Sequence, residues 1–398
     1  MTPRERIITT LEHREPSRLA IDFAGTDCSS VHLIAYDLLR KHIGIEPRPL
    51  RLACRVQLVA DCDEEVQDYF HGDAKGLYFG PRNWRMWNSG WGFDVQAPDS
   101  WRPQTLEDGR DVIRDAGGVI RYARPAGGYY FDPVSFVFAD IQSADEFDTW
   151  PVVFDRWDWP ASDDESLQEY AARAKKIYSS TDRAVVASWR MHYLQAGQLM
   201  RGYEQFMVDL LIDEPLVRGM LDRLHSVYMT RAEAFLKAMA DYTDIVFFTD
   251  DLGTQSGQLI SLEVYRRLIK PYWAELIALV KKHGKKVLMH SCGAISAFIP
   301  EMIEMGVDAI NPMQITANGM DPGRLKRDFG KDIAFWGGGV STQGTLDRAT
   351  PRQIREEVRR NIDAFAPGGG FVFTPVHNIQ FNVPPENLAA AYEAAFEA

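Results

Sequence analysis

Gly284-Lys285-Lys286-Val287-Leu288-Met289-His290-Ser291-Cys292 is the stretch that decides how this chain folds. A glycine that ends a helix leads into a short apolar run, and the run stops at two residue types that bind metals. Upstream, residues 261–283 place Leu262, Tyr265, Leu268, Ile269, Tyr272, Trp273, Leu276 and Val280 on one helical stripe behind an N-cap at Ser261. Pro271 within that stripe predicts a kink or a split. The same alternation recurs on either side. Apolar runs at 184–189, 245–250, 309–314, 333–337 and 371–377 each end in polar residue types, and amphipathic helices separate them from residue 166 onward.

The amino-terminal part begins with the capping box Thr2-Pro3-Arg4-Glu5, which opens a helix ending near His13. Leu19-Ala20-Ile21-Asp22-Phe23 reads as a first strand and 33–43 as a helix. Thr350-Pro351-Arg352-Gln353 repeats the capping box, and Asp321-Pro322 opens a further helix. Residues 82–137 differ: Trp84, Trp87, Trp91, Trp101, Tyr122, Tyr129, Tyr130 and Phe131 alternate with glycine, proline and charge, which suits short antiparallel strands. Strand, helix, strand without hairpin signals implies a parallel sheet, either doubly wound or closed as a (β/α)8 barrel. No G-x-G-x-x-G follows an early strand and no Walker loop occurs, so the expected fold is an α/β (β/α)8 TIM barrel over 1–398. It carries an N-terminal helical extension and an aromatic-rich β insertion at 82–137.

The chain has 398 residues, 45% hydrophobic and 25% charged, the composition of a globular protein with a large core. A formal charge of −12 argues against nucleic acid and anionic membranes as partners. The opening has no apolar signal segment and no long apolar run follows, so a soluble cytoplasmic protein is expected. Four cysteines are too few for a disulfide framework.

In a parallel barrel the active site gathers at the C-terminal ends of the strands. That rule nominates Trp189, Arg190, Met191, His192 and Tyr193, then Asp250 and Asp251, then His290 and Cys292, then Asn311 and Gln314, then Trp336, and last His377. His290 and Cys292 either hold a catalytic zinc or are a hydrogen-bonded core imidazole and a small buried thiol. One of Asp250 and Asp251 either acts on a substrate or metal, or caps the next helix. The aromatic segment packs on the barrel rim or forms a wall for an apolar ligand. Cys28, Cys54 and Cys62 receive no role.

Asp250-Asp251-Leu252-Gly253, Met289-His290-Ser291-Cys292-Gly293, Gly306-Val307-Asp308-Ala309-Ile310-Asn311-Pro312 and Phe335-Trp336-Gly337-Gly338 resemble the uroporphyrinogen decarboxylase superfamily. So do Pro367-Gly368-Gly369-Gly370, Pro375-Val376-His377-Asn378-Ile379-Gln380 and Val383-Pro384-Pro385-Glu386-Asn387. The resemblance implies a (β/α)8 barrel and one of two chemistries: metal-free decarboxylation of a tetrapyrrole, or zinc-dependent methyl transfer involving a corrinoid. The decarboxylases carry Met-Arg-Gln-Ala-Gly-Arg near the amino terminus. Here Ile21-Asp22-Phe23-Ala24-Gly25-Thr26 offers no arginine to clamp substrate carboxylates.

The methyltransferases use His-x-Cys and a later Cys on zinc. His290 and Cys292 match, and His377 stands where the later Cys would be. The resemblance therefore implies a His290, Cys292, His377 zinc site, with water, substrate, Asp250 or Asp251 as fourth ligand. His377 remains open between ligand and acid/base, alongside Asp250 and Asp251 as catalytic groups. Asn311, Gln314 and Trp336 are expected at the cofactor, and Trp189, His192 and Tyr193 at the substrate.

The expected activity is a zinc-dependent methyltransferase, of the kind that performs O-demethylation. It moves a methyl group between a small methylated molecule, such as a methoxylated aromatic, or a thiol or tetrahydrofolate acceptor, and a cobalamin. That methylcobalamin is expected on a separate corrinoid protein, because the Asp-x-His-x-x-Gly signature of a corrinoid module is missing and Asp68 and His71 have the wrong spacing. The alternatives are a metal-free decarboxylase of an aromatic or tetrapyrrole acid, using Asp250 or His377 as proton donor, and a non-catalytic corrinoid- or ligand-binding barrel. A homodimer is a further expectation.

Overall fold

The computed structural model describes residues 1–149 and 165–398. Its centre is a sheet of eight parallel strands: β1 (Ala20–Ile21), β2 (Ala74–Leu77), β3 (Ala184–Ser188), β4 (Ile245–Thr249), β5 (Lys286–His290), β6 (Ala309–Asn311), β7 (Ala334–Trp336) and β8 (Phe371–Phe373). Their spatial order is β1-β8-β7-β6-β5-β4-β3-β2. Asp73 closes the remaining seam: its N–H donates to Ile21 O at 2.7 Å, and its carboxylate accepts the Ile21 N–H at 2.9 Å. A helix follows each strand, so the expected (β/α)8 barrel is observed.

Small and branched side chains fill the barrel because a closed eight-stranded sheet leaves room only for layered side chains. Ala20, Ala184, Val186, Ile245, Phe247, Leu288, Ala309, Ala334 and Val372 form that interior with Trp336. Helix Pro3–Leu11, held by the expected capping box at Thr2, plugs the lower end by adding Ile7 and Leu11 to the same cluster. Arg6 on this helix reaches Asp73, and Arg18 meets both Asp73 carboxylate oxygens at 2.9 Å.

Strand β2 is the one the sequence concealed. Ala74-Lys75-Gly76-Leu77 has little β propensity and no alternation, and it is a strand because β3 pairs along its whole length. Apart from β5, the other strands end earlier than the apolar runs, since backbone beyond the barrel rim turns into loops. The 261–283 stripe does split: a short turn at Leu262–Val264 and a widened one at Tyr265–Ile269 precede helix Lys270–Lys282. Pro271 has no N–H for the Arg267 carbonyl, which instead accepts from Arg218 Nη2 at 3.2 Å.

The aromatic segment lies in the crossover after β2, which sets it above the C-terminal mouth. It forms two four-stranded sheets. One runs from Gln104–Thr105 to Asp132–Pro133. The other joins Trp84–Asn88 and Asp94–Pro98 to Leu50–Leu52 and Ala60–Asp61, so chain before residue 82 is part of it.

Candidate functional site

The register of β5 against β6 sets His290 beside Asn311 at the mouth. Asn311 Nδ2 donates to Trp336 O at 2.9 Å, which fixes the amide and leaves Oδ1 as an acceptor 2.6 Å from His290 Nδ1. Nδ1 therefore carries the ring proton, and Nε2 offers a lone pair. His377 is arranged the same way. Asn378 Nδ2 donates to Gln57 Oε1 at 3.1 Å and its Oδ1 accepts from Gln380 at 2.9 Å, so Oδ1 also accepts from His377 Nδ1. The two rings stand 5.3 Å apart, centroid to centroid. Enclosure by protein, then the neighbouring His290, holds the His377 pKa below the usual imidazole value.

Around His290 Nε2 lie Cys292 Sγ at 3.2 Å, Asp251 Oδ1 at 3.7 Å and Cys28 Sγ at 4.0 Å. The ligand atoms form two overlapping trios, Cys28 with His290 and His377, and Asp251 with His290 and Cys292, each within 4.8 Å. Tetrahedral zinc with Zn–S of about 2.3 Å and Zn–N of about 2.05 Å needs an S···N separation of roughly 3.5 Å. The two sulfur distances bracket that value, and the imidazoles present unprotonated nitrogens, so the donor set fits a zinc ion. Burial pushes the Cys28 and Cys292 thiols well above their usual pKa, and a bound cation would favour the thiolate.

The backbone around these groups is tightly determined. Gly293 sits at φ 89°, and a side chain there would run into the Gly253 backbone. Gly293 N–H donates to Gln314 Oε1 at 2.7 Å and Cys292 N–H to Asp251 Oδ1 at 2.8 Å, which fixes the turn carrying the thiol. In the loop after β1, Thr26 and Ser29 bond each other reciprocally, and Asp22 accepts from Gly25 N–H and Trp336 Nε1, both at 2.7 Å. That loop carries Cys28, the ligand candidate that sequence reasoning missed. A lone cysteine in a short polar loop gives no signal until the fold sets it beside His290, 262 positions away.

Several expectations need correction. Asp250, nominated as catalytic, is fully buried and accepts the N–H groups of Tyr193, Leu194 and Gln195 at 3.2, 3.0 and 2.8 Å and Trp273 Nε1 at 2.9 Å. It anchors the N-terminus of helix Leu194–Arg201 and has no face left for a substrate. Trp336, nominated for a cofactor, is buried inside the barrel on Asp22, while Asn311 and Gln314 orient His290 and the Cys292 turn. Tyr193, nominated for substrate, is buried with its hydroxyl 2.6 Å from His225 Nδ1. His192 is buried too, its carbonyl accepting from Tyr228.

Trp189 alone of the substrate candidates lines the cavity under the aromatic sheets, whose wall includes none of Cys28, Asp251, His290, Cys292 and His377. This space of about 610 Å³ lies between the ends of β2 and β3 and the aromatic sheets, with Tyr78, Phe79, Trp84, Trp101 and Arg190 also on its wall. Arg190 is held at φ 47°, a strained conformation for a non-glycine residue.

Fold and site together describe a barrel protein of enzymatic type with a His/Cys/Asp cluster at its mouth. The model of the uroporphyrinogen decarboxylase (URO-D) family matches residues 185–398, and the chain belongs to that family. A uroporphyrinogen decarboxylase of Herminiimonas arsenicoxydans is 29% identical over 191 residues, 44% of this chain and 49% of that one. One from Coxiella burnetii is 25% identical over 209 residues, 51% of this chain and 53% of that one. The matches thus span about half the length of these curated relatives. Among solved structures, a methyltransferase from Methanosarcina mazei superposes with a TM-score of 0.61 over 100% of this chain and 99% of its own. At 15% identity this is a likeness of fold. No helix among the described residues is long and apolar enough to cross a membrane.

Proposed function

We propose that the chain is a zinc-dependent methyltransferase that works with a separate corrinoid protein. The observation that carries this reading is the convergence of thiol, imidazole and carboxylate groups on one unprotonated nitrogen, His290 Nε2. His290 would hold the ion, with the other donors drawn from Cys292, Cys28, His377 and Asp251. When bound, zinc supplies Lewis acidity to the heteroatom that gives or receives the methyl group. Asn311 keeps the His290 lone pair aimed at the mouth. Asp251, with its side chain 38% exposed, can exchange a proton with the bound heteroatom. Tyr78, Trp84, Trp101 and Trp189 on the cavity wall offer aromatic faces for the ring of a methoxylated arene, beside the charged Arg51, Arg55 and Arg190. A corrinoid partner would present its cobalt at the same mouth.

Metal analysis and single-turnover assays test this. The purified protein should hold about one zinc per chain. With a corrinoid protein and a methoxylated aromatic it should methylate the cobalt, and a chelator should stop it. Absence of zinc, together with activity that survives chelation, would sink the proposal. It would favour metal-free decarboxylation, the second reading, which the names of the curated relatives support.

A further inference from the structure

We infer that Cys28, on the loop after the first strand, is a sulfur ligand of the zinc centre, seated with His290 and His377. The inference rests on the zinc reading above and says where that centre takes its sulfur. His377 stands beside His290 at the mouth, their ring centroids 5.3 Å apart, and the thiol that completes this pair comes from the opposite end of the chain. Barrel closure brings the loop after β1 beside the ends of β5 and β8, and Cys28 Sγ lies 4.0 Å from His290 Nε2.

Three observations select this thiol. First, Cys28, His290 and His377 already have their ligand atoms within 4.8 Å of one another. Second, the loop is built to hold Cys28 still. The Thr26/Ser29 pair, the Gly25 bond to Asp22 and the Ala24 N–H on Ser29 O leave its backbone little freedom. A side chain at Gly25 would strike Asp22 and Ala74, so the loop passes close over the barrel. Third, on the other side of His290, Asp251 Oδ1 already accepts the Cys292 N–H, which ties that carboxylate to the turn. One thiol and two imidazoles supply three protein ligands and keep a position open for a reactant, as catalytic zinc requires. Cys292, 3.2 Å from the same nitrogen, lies beside that position. Cys28 binds as the thiolate, and its proton leaves to solvent as zinc enters.

The test is X-ray absorption at the zinc edge, with cobalt(II)-substituted spectra, on the full chain as wild type, Cys28→Ala, Cys28→Ser and Cys62→Ala. Cys62 is a buried thiol against Ser30 and serves as the control. Cys28→Ala and Cys28→Ser should each lose one sulfur from the metal shell and part of the sulfur-to-cobalt charge-transfer band. Zinc affinity should fall by more than the roughly 10- to 100-fold that loss of an outer-shell partner costs. Cys62→Ala should match wild type. An unchanged sulfur count and spectrum in both Cys28 variants, with zinc still bound, would overturn the Cys28 assignment and leave the zinc reading standing. Wild-type protein that takes up neither zinc nor cobalt would overturn both.

Discussion

Asp73 at the lower end of the barrel and the His290/His377 pair at the mouth handle their buried polar atoms in opposite ways. At the lower end Asp73 is fully buried and saturated: Arg6, Arg18 and the Ile21 N–H all point at its carboxylate. At the mouth, His290 and His377 spend one nitrogen each on an asparagine, and His290 Nε2 faces the Cys292 and Cys28 thiols. Saturation stabilises a closed seam, whereas the mouth gathers groups of metal-ligating type within 4.8 Å of one another. The contrast predicts that substitution of Asp73 changes stability alone, and that of the His290 cluster changes metal content and turnover.

The largest effect should come from His290→Ala. Zinc should fall from about one per chain to background and methyl transfer by roughly a thousandfold or more, because the ion supplies several kcal/mol to the transition state. Its metal-free melting temperature should stay near that of metal-free wild type. A variant that keeps its zinc would break the comparison.

Asp73→Ala should do the reverse. Removing the acid leaves Arg6 buried without its partner and opens the seam, at a cost of about 3–5 kcal/mol in urea unfolding. Zinc per folded chain should not change. A smaller effect is expected for Asn311→Ala, which frees the His290 ring to turn and should weaken zinc about 10- to 100-fold in competition with a chelator.

The smallest net effect concerns pH. Burial lowers His32 to about 4, so its contribution to stability is present above its ordinary value of about 6.5 and is lost as pH falls towards 4. Burial raises Asp22 to about 6, so its contribution is present below about 3.8 and is lost as pH rises through 6. Between pH 4 and 6 the two slopes oppose, and wild-type stability should change little from these groups. His32→Gln should expose a fall in unfolding midpoint as pH rises across that window, and Asp22→Asn a rise. Parallel slopes in the two variants would refute this pairing.

Much of the barrel was legible because seven strand positions are marked by apolar runs and several helices by caps at Thr2, Ser261, Asp321 and Thr350. Such signals are local, set by propensity and hydrogen bonding within a few residues. Strand β2 escaped because its pairing with β3, and not its composition, makes it a strand. Asp250 misled for a related reason. Two adjacent carboxylates look alike in sequence, yet one faces the Tyr193–Gln195 backbone and the other the Cys292 turn.

The sequence by itself determined the alternation of strand and helix, the membership of the aromatic segment in β structure, and His290 and Cys292 as a strand-end pair. Only the tertiary structure decided that Asp250 is a helix anchor, that Asn311 orients His290, and that Cys28 lies 4.0 Å from His290 Nε2. The physical reason is that a local pattern fixes which way a side chain projects from its own element. Closing the barrel through Asp73 decides which distant side chains then project into the same few ångströms.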